Sequence, residues 1–164
     1  MSVTEIPVQR FSLTCSKSFE QVVSEFEAVI SRPNMAVFLR EIADAKSYAE
    51  LEQVVENALG PSGLMEFIRF DIGEVLRKRN GTARPKILRV ILGNPLIMRQ
   101  MAEHVSDAAS YAPVTILIDE RSDGVHVSYD RMGSFLAPYE NELALKVARD
   151  LDAKIEALLT SVCT

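Results

Sequence analysis

The stretch PVTILIDERSDGVHVSYD, residues 113–130, decides the architecture. On both sides of Asp123-Gly124 its apolar residues alternate with polar ones, the period of a half-buried strand, and Asp-Gly favours the tight turn of a hairpin. With Asp123-Gly124 as a two-residue turn, Arg121 faces His126, Asp119 faces Ser128 and Leu117 faces Asp130. Alternation then puts Val114, Ile116, Ile118, Val125, Val127 and Tyr129 on the core side. Asp119, Arg121, His126, Ser128 and Asp130 fall on the opposite face.

Upstream, Lys86 to Leu92 is almost wholly aliphatic and predicts a central strand buried on both faces. It runs through Gly93-Asn94-Pro95 into a helix predicted over 95–110, with Ile97, Met101, Val105 and Ala108 inward. Residues 64–71 (LMEFIRFD) predict another strand, followed by a short helix from Ile72 to Arg79 that ends at Asn80-Gly81. Residues 8–14 predict the first strand. Ser18 and Gln21 form a capping-box pattern opening a helix with Phe19, Val22, Val23, Phe26 and Ile30 on one face. A short helix with Met35, Phe38, Leu39 and Ile42 follows. Ser47 and Glu50 make a second capping box before Leu51, Val54, Val55, Ala58 and Leu59, and Gly60-Pro61 stops that helix.

Downstream, residues 138 to about 161 predict a long amphipathic helix lying on a sheet or a partner. Leu143, Val147, Leu151, Ile155, Leu158 and Val162 form its stripe. Strands and helices interleave, but the hairpin breaks a simple parallel alternation. The expected fold is α+β: a two-layer sandwich with a mixed or mostly antiparallel sheet of about five strands and helices packed on it.

At 164 residues the chain suits one domain spanning 1–164. With 48% apolar and 25% charged residues it matches ordinary globular proteins and neither disordered nor membrane chains. No apolar run is long enough to span a bilayer, and the N-terminus lacks the pattern of a secretory signal, so the expected compartment is the cytoplasm. The net charge is −5, and the one basic cluster, Arg77, Lys78, Arg79, Arg84, Lys86 and Arg89, reads as a solvated loop flank. Nucleic-acid binding is not expected. Cys15 and Cys163 lie near opposite termini without a CxxC or Cys/His cluster. They are expected to be free thiols in a reducing compartment, with neither a disulfide nor a zinc site.

The Gly93-Asn94-Pro95 corner resembles the start of a phosphate loop, but donor arithmetic removes that reading. There is one glycine and no GK[ST], Pro95 has no N–H, and Asn94 as an N-cap uses the next free donors. What remains is a structural corner or a ligand-contacting one, since α/β folds place ligands at strand C-terminal ends. Ser128, His126 and Asp130 share a hairpin face, yet no nucleophile elbow or oxyanion loop adjoins them, so a solvated or dimer-facing surface is the better reading. Asp71 ends a strand where it can cap the following helix. His104, alone on the helix predicted over 95–110, makes no metal site. The aromatic turns at Tyr111-Ala112-Pro113 and Phe135 to Tyr139 either plug a core or line a pocket. No catalytic residue, metal or cofactor is assigned.

ILGNP before a helix, YAPVTILIDERSDGVHVSYDRMGSFL, and LAPY with ALKVARDLDAKIEALL resemble the domain of unknown function 302 family, over about residues 64–162 and more weakly over the first strand and helix. The resemblance implies a compact sandwich on a curved sheet, distantly like the TATA-binding-protein class, and commonly a homodimer. It implies no activity. Helices at about 34–59 depart from the short family pattern, and Gly93 stands where many relatives carry Cys.

Three readings of function stay open. The leading one is a non-catalytic domain that forms a homodimer and binds a small apolar or amphipathic molecule between the C-terminal helix and the sheet. Its polar points would be Asp71, Asn94, Tyr111 and Tyr129, with Gly93 at the contact. The second is a small hydrolase or isomerase using Asp71, His126 or Asp130 as acid or base. The third is a structural module for dimerisation or complex assembly.

Overall fold

The alternation over 113–130 builds a hairpin in the computed structural model, which describes residues 3–164. Strands β4 (Val114–Arg121) and β5 (Gly124–Asp130) pair antiparallel, with Arg121 opposite Gly124, Asp119 opposite His126 and Leu117 opposite Ser128. The two-residue turn is therefore Ser122-Asp123, and every pair is displaced by two residues from the expected register. Gly124 has φ 138°, and a Cβ there would sit 3.1 Å from Thr14 Cγ2, so a side chain is unwelcome on both counts. Because the displacement is even, no residue changes face. Val114, Ile116, Ile118, Val125, Val127 and Tyr129 are all buried.

Strands β1 (Arg10–Cys15), β2 (Met65–Asp71) and β3 (Ile87–Gly93) complete a sheet of order β1-β5-β4-β3-β2, antiparallel at every pairing. β1 thus begins two residues later than expected. Most of the helical layer covers one face, and this corrects the reading of β3. Leu88, Val90 and Leu92 are buried, but Arg89 is exposed and Ile87 and Ile91 are half-buried. An all-antiparallel sheet needs no crossover helices on its second face. The register slips between Glu66 and Ile68, leaving Phe67 as an unpaired bulge residue.

Helix α1 (Phe19–Val29) starts at the complete Ser18–Gln21 capping box. α2 (Met35–Asp44) is capped by Asn34, and α3 (Tyr48–Ala58) by Ser47. Only half of the second box forms, because Glu50 accepts from the Lys46 N–H instead of reaching Ser47. α4 (Ile72–Asn80) runs from the Asp71 cap to Gly81 in the left-handed region, φ 66°.

The helix expected over 95–110 is two helices, α5 (Pro95–Ala102) and α6 (Ala108–Tyr111). Ser106-Asp107 lies at the break, residue types that favour turns over helix interiors, and His104 is in that turn, not on a helix. Val105 remains buried. α7 (Met132–Leu136), which periodicity did not anticipate, and a single 3-10 turn at Ala137–Tyr139 precede α8 (Glu142–Cys163). The buried line of α8 is Ala144, Ala148, Leu151, Ile155, Leu159 and Val162, whereas Leu143 is 61% exposed. The stripe is rotated from the expected one because small alanines, not the large residues before them, face the sheet.

The main core lies between the sheet and α1, α5 and α8. Phe38, Val55 and Met65 form a second cluster where α2 and α3 rest on Phe67 and Leu96 at the sheet corner. The expectation of free thiols is overturned: Cys15 and Cys163 form a disulfide, with Cα atoms 4.5 Å apart. Distance along the chain misled, since the C-terminal end of α8 returns to the edge strand β1. Thiol titration of the denatured, unreduced monomer is therefore expected to find no free cysteine, and titration after reduction to find two; thiols before reduction would contradict the pairing.

Candidate functional site

β3 leaves the sheet at Gly93, Asn94 caps α5, and Pro95 occupies the first turn. Asn94 Oδ1 accepts from the Leu96 N–H at 2.8 Å and Nδ2 donates to the Gly63 carbonyl at 3.1 Å. The corner consequently offers little to an anion, as the donor arithmetic required. Behind it lies a cavity of about 130 Å³. Phe67 from the β2 bulge, Met98 and Met101 from α5, Pro113 and Val114 from the start of β4, and Leu151 from α8 form its walls. Methionines can reshape around an occupant more readily than branched side chains. A Cβ on Gly93 would lie 3.4 Å from Pro113 Cβ and 3.6 Å from Phe67 Cε2, so a side chain there has room at its base and enters this space.

Of the expected contact residues, Gly93 and Asn94 line the cavity. Asp71 lies at the other end of β2. It accepts from the Glu74 N–H at 2.8 Å and from Arg77 at 2.7 Å, and Arg77 holds its carboxyl below the usual value. Tyr111 stacks on Phe135 at 4.9 Å and shares a 2.7 Å hydroxyl contact with Tyr139. That contact and burial push the Tyr139 hydroxyl up to about 12. Both aromatic turns thus meet each other and close one end of the core. Tyr129 is buried in β5 and donates to Asp152 at 2.6 Å; burial, with Asp152 beside it, drives its hydroxyl far above its usual range.

The polar hairpin residues stand on the open face of the sheet. Arg121 binds Asp119 at 2.6 Å, His126 meets Asp123 at 2.9 Å, and Arg10 grips Asp130 at 2.6 and 2.8 Å. His126 therefore engages the turn, and Asp130 engages β1. Ser128, 7% exposed, sits opposite Leu117 and Ser12 in register. Nothing links the three as a relay. The same face has a largely apolar half, formed by Ile68 and Phe70 of β2, Ile87 and Ile91 of β3, and Leu117 of β4, with exposed Arg89 lying between Phe70 and Leu117 in register. Ile68 and Phe70 are 48% and 43% exposed.

Asp152 escaped the sequence reading. It is 8% exposed on α8, and its carboxylate accepts from Tyr129 Oη, from the Met132 N–H at 2.7 Å and from the Gly133 N–H at 3.0 Å. Burial raises its pKa above the ordinary 3.8, with Glu156 adding to the shift. A Cβ on Gly133 would come within 2.8 Å of Oδ2, so the glycine is what lets the carboxylate reach the backbone. The available signal was an aspartate between Leu151 and Ile155, inside the apolar stripe. Asp152 also lines a cleft of about 520 Å³ between the 7–9 segment, α7 and α8. Among the described residues no helix is long and apolar enough to cross a membrane.

The family model described as domain of unknown function DUF302 matches residues 39–162, so the match takes in most of α2 and all of α3. A crystal structure of an uncharacterized conserved protein DUF302 from Bacillus stearothermophilus superposes with TM-score 0.64 at 9% identity, covering 94% of this chain and 98% of that one. At that identity the likeness concerns the fold. No curated protein matches the chain.

The Tyr129–Asp152 contact carries a pH signature. The hydrogen bond favours the ionised carboxylate, so its contribution is present while Asp152 is charged and is lost as pH falls through the raised folded-state pKa. Tyr129→Phe is expected to cost about 2 kcal/mol in denaturant unfolding at neutral pH. That cost should shrink on acidification; a pH-independent cost would show that Asp152 is not the acceptor that matters.

Proposed function

The chain belongs to the domain of unknown function DUF302 family, and from that premise we propose a non-catalytic domain that holds a small apolar molecule behind the Gly93-Asn94-Pro95 corner and pairs with a second copy through its open sheet face. The observation that carries the first half is the cavity itself, about 130 Å³ and walled almost wholly by apolar side chains. Its size is near that of the roughly 150 Å³ engineered apolar cavity that stays dry and takes benzene. It is well below the ~300–1,000 Å³ used by drug-sized ligands. The expected occupant is therefore about the size of one aromatic ring or a short branched alkyl group. With both polar ends of Asn94 engaged, selection is by shape.

Self-association draws on the open sheet face. Five strands about 4.8 Å apart and some 20 Å long give roughly 500 Å² per copy, or about 1,000 Å² for a pair, near the lower bound for a specific interface. The largely apolar half, with Arg89 within it and Arg10, Asp119, Arg121 and Asp130 along one side, supplies apolar contact area and charged groups for pairing across an interface. A structural assembly module would use the same face without the cavity.

The enzyme reading draws less support. Asp71, His126 and Asp130 are each engaged by a neighbouring charged side chain, and none lines the corner cavity. As for compartment, the cytoplasmic expectation was drawn from the lack of a spanning run and of a secretory pattern, whereas the Cys15–Cys163 bond favours an oxidising compartment.

Benzene followed by NMR is expected to bind saturably and to move the methyl signals of Met98, Met101, Val114 and Leu151. Gly93→Leu, whose side chain fills the cavity, should weaken binding at least about tenfold while the spectrum stays dispersed. Absence of saturable shifts at those methyls would remove the ligand reading. In sedimentation velocity the unaltered chain should run as a dimer, and Phe70→Glu with Leu117→Glu as a monomer; a monomeric parent would remove the second half.

A further inference from the structure

On α8, Arg149, Asp152, Ala153 and Glu156 are three and four residues apart and so share one helix face, and all of them line the cleft of about 520 Å³. Their charges are not equally engaged. Glu156 is held in a fork by Arg131 at 2.6 and 3.0 Å. Asp152 Oδ1 takes two donors, whereas Oδ2 takes only the Gly133 N–H and keeps an acceptor position. Among the described residues Arg149 has neither an ion pair nor a hydrogen bond, although its neighbours Lys146 and Asp150 pair with each other.

We propose that this cleft is a binding site for an amino-acid-like zwitterion, its carboxylate on the Arg149 guanidinium, its ammonium on Asp152 and its apolar side chain against Val8 and Leu145. Charge balance selects this class. The cleft has two cations, Arg131 and Arg149, and two carboxylates, Asp152 and Glu156. A lone anion would meet the carboxylates, and a lone cation would meet the arginines; a neutral molecule with both groups meets each with its opposite. The spacing agrees as well. Cβ atoms three residues apart on a helix are about 5–6 Å from each other. That distance lets side chains on either side reach two groups joined through a single carbon.

Gly133 supplies the opening. A Cβ there would lie 2.8 Å from Asp152 Oδ2 and 3.6 Å from Arg149 Cγ, so any side chain would fill the floor between the two charges. The raised carboxyl of Asp152 points the same way, because an ammonium would compensate an ionised form that burial disfavours. The opposite wall is the N-terminal segment, fixed by the Gln9 N–H on Ser134 Oγ at 3.1 Å and by the Arg131 N–H on the Gln9 carbonyl at 2.9 Å. It brings Pro7 and Val8 to the cleft, with Val8 47% exposed. A branched aliphatic side chain has apolar surface to cover there. The site shares no residue with the corner cavity, so either can stand without the other.

The test is titration of the full chain with L-leucine, followed at the amide signals of Gly133, Ser134, Arg149 and Ala153. Parallel titrations use 4-methylpentanoate, which lacks the ammonium, and isoamylamine, which lacks the carboxylate. Leucine is expected to give saturable shifts confined to these amides, and both analogues to bind at least about tenfold more weakly. Arg149→Gln, an exposed position whose stem is retained, should weaken leucine to a similar extent without loss of spectral dispersion. No saturable shifts up to about 50 mM leucine, equal binding of either analogue, or unchanged affinity in Arg149→Gln would each overturn the proposal.

Discussion

One buried carboxylate joins the parts of this fold that would otherwise have separate ends. Asp152 reaches from α8 to the hydroxyl of Tyr129 at the end of β5 and to the first N–H groups of α7. The chain can turn from sheet to helix there because those N–H groups, which no carbonyl of α7 can satisfy, find an acceptor. The same turn places the Arg131 N–H on the Gln9 carbonyl and Ser134 Oγ under the Gln9 N–H, so the approach to β1 hangs on it too. An aspartate in an apolar stripe is costly unless donors meet its charge. Here its position is over-determined by three donors and a glycine.

Regular elements were legible because period and capping act locally. The hairpin alternation put every core residue of β4 and β5 on its proper face even though the turn itself was misplaced, since an even register error is invisible to alternation. Ser18, Asn94 and Asp71 cap their helices as their residue types suggest. Legibility failed where distant segments decide. Nothing local marks Cys15 as adjacent to Cys163, or α7, whose five residues are held by a side chain from another helix; the break between Ala102 and Ala108 had only the weak local signal of Ser106-Asp107.

The two cavities divide along the same line. The corner at Gly93-Asn94-Pro95 was visible as a motif, and Asn94 caps α5 there as its residue type suggests. The space behind it was not visible, because it is defined by Phe67, Met101 and Leu151, which three different elements contribute. The cleft beside Asp152 is less apparent still. Its charged residues look in sequence like the ordinary mixed surface of an exposed helix, and only α7 and the 7–9 segment reveal which of them line one cleft.

The strand order carries a consequence for how the chain is made. β2, β3, β4 and β5 follow one another across the sheet as they do along the chain, but β1 pairs with β5, Arg10 meeting Asp130. During synthesis the first strand emerges long before its partner exists. Until residue 130 has left the ribosome, β1 has no edge to join, and its inward side chains Phe11 and Leu13 have no sheet to lie on. The native place of β1 in the sheet is therefore unavailable until β5 has been made, although β1 precedes β5 by about a hundred residues in the chain.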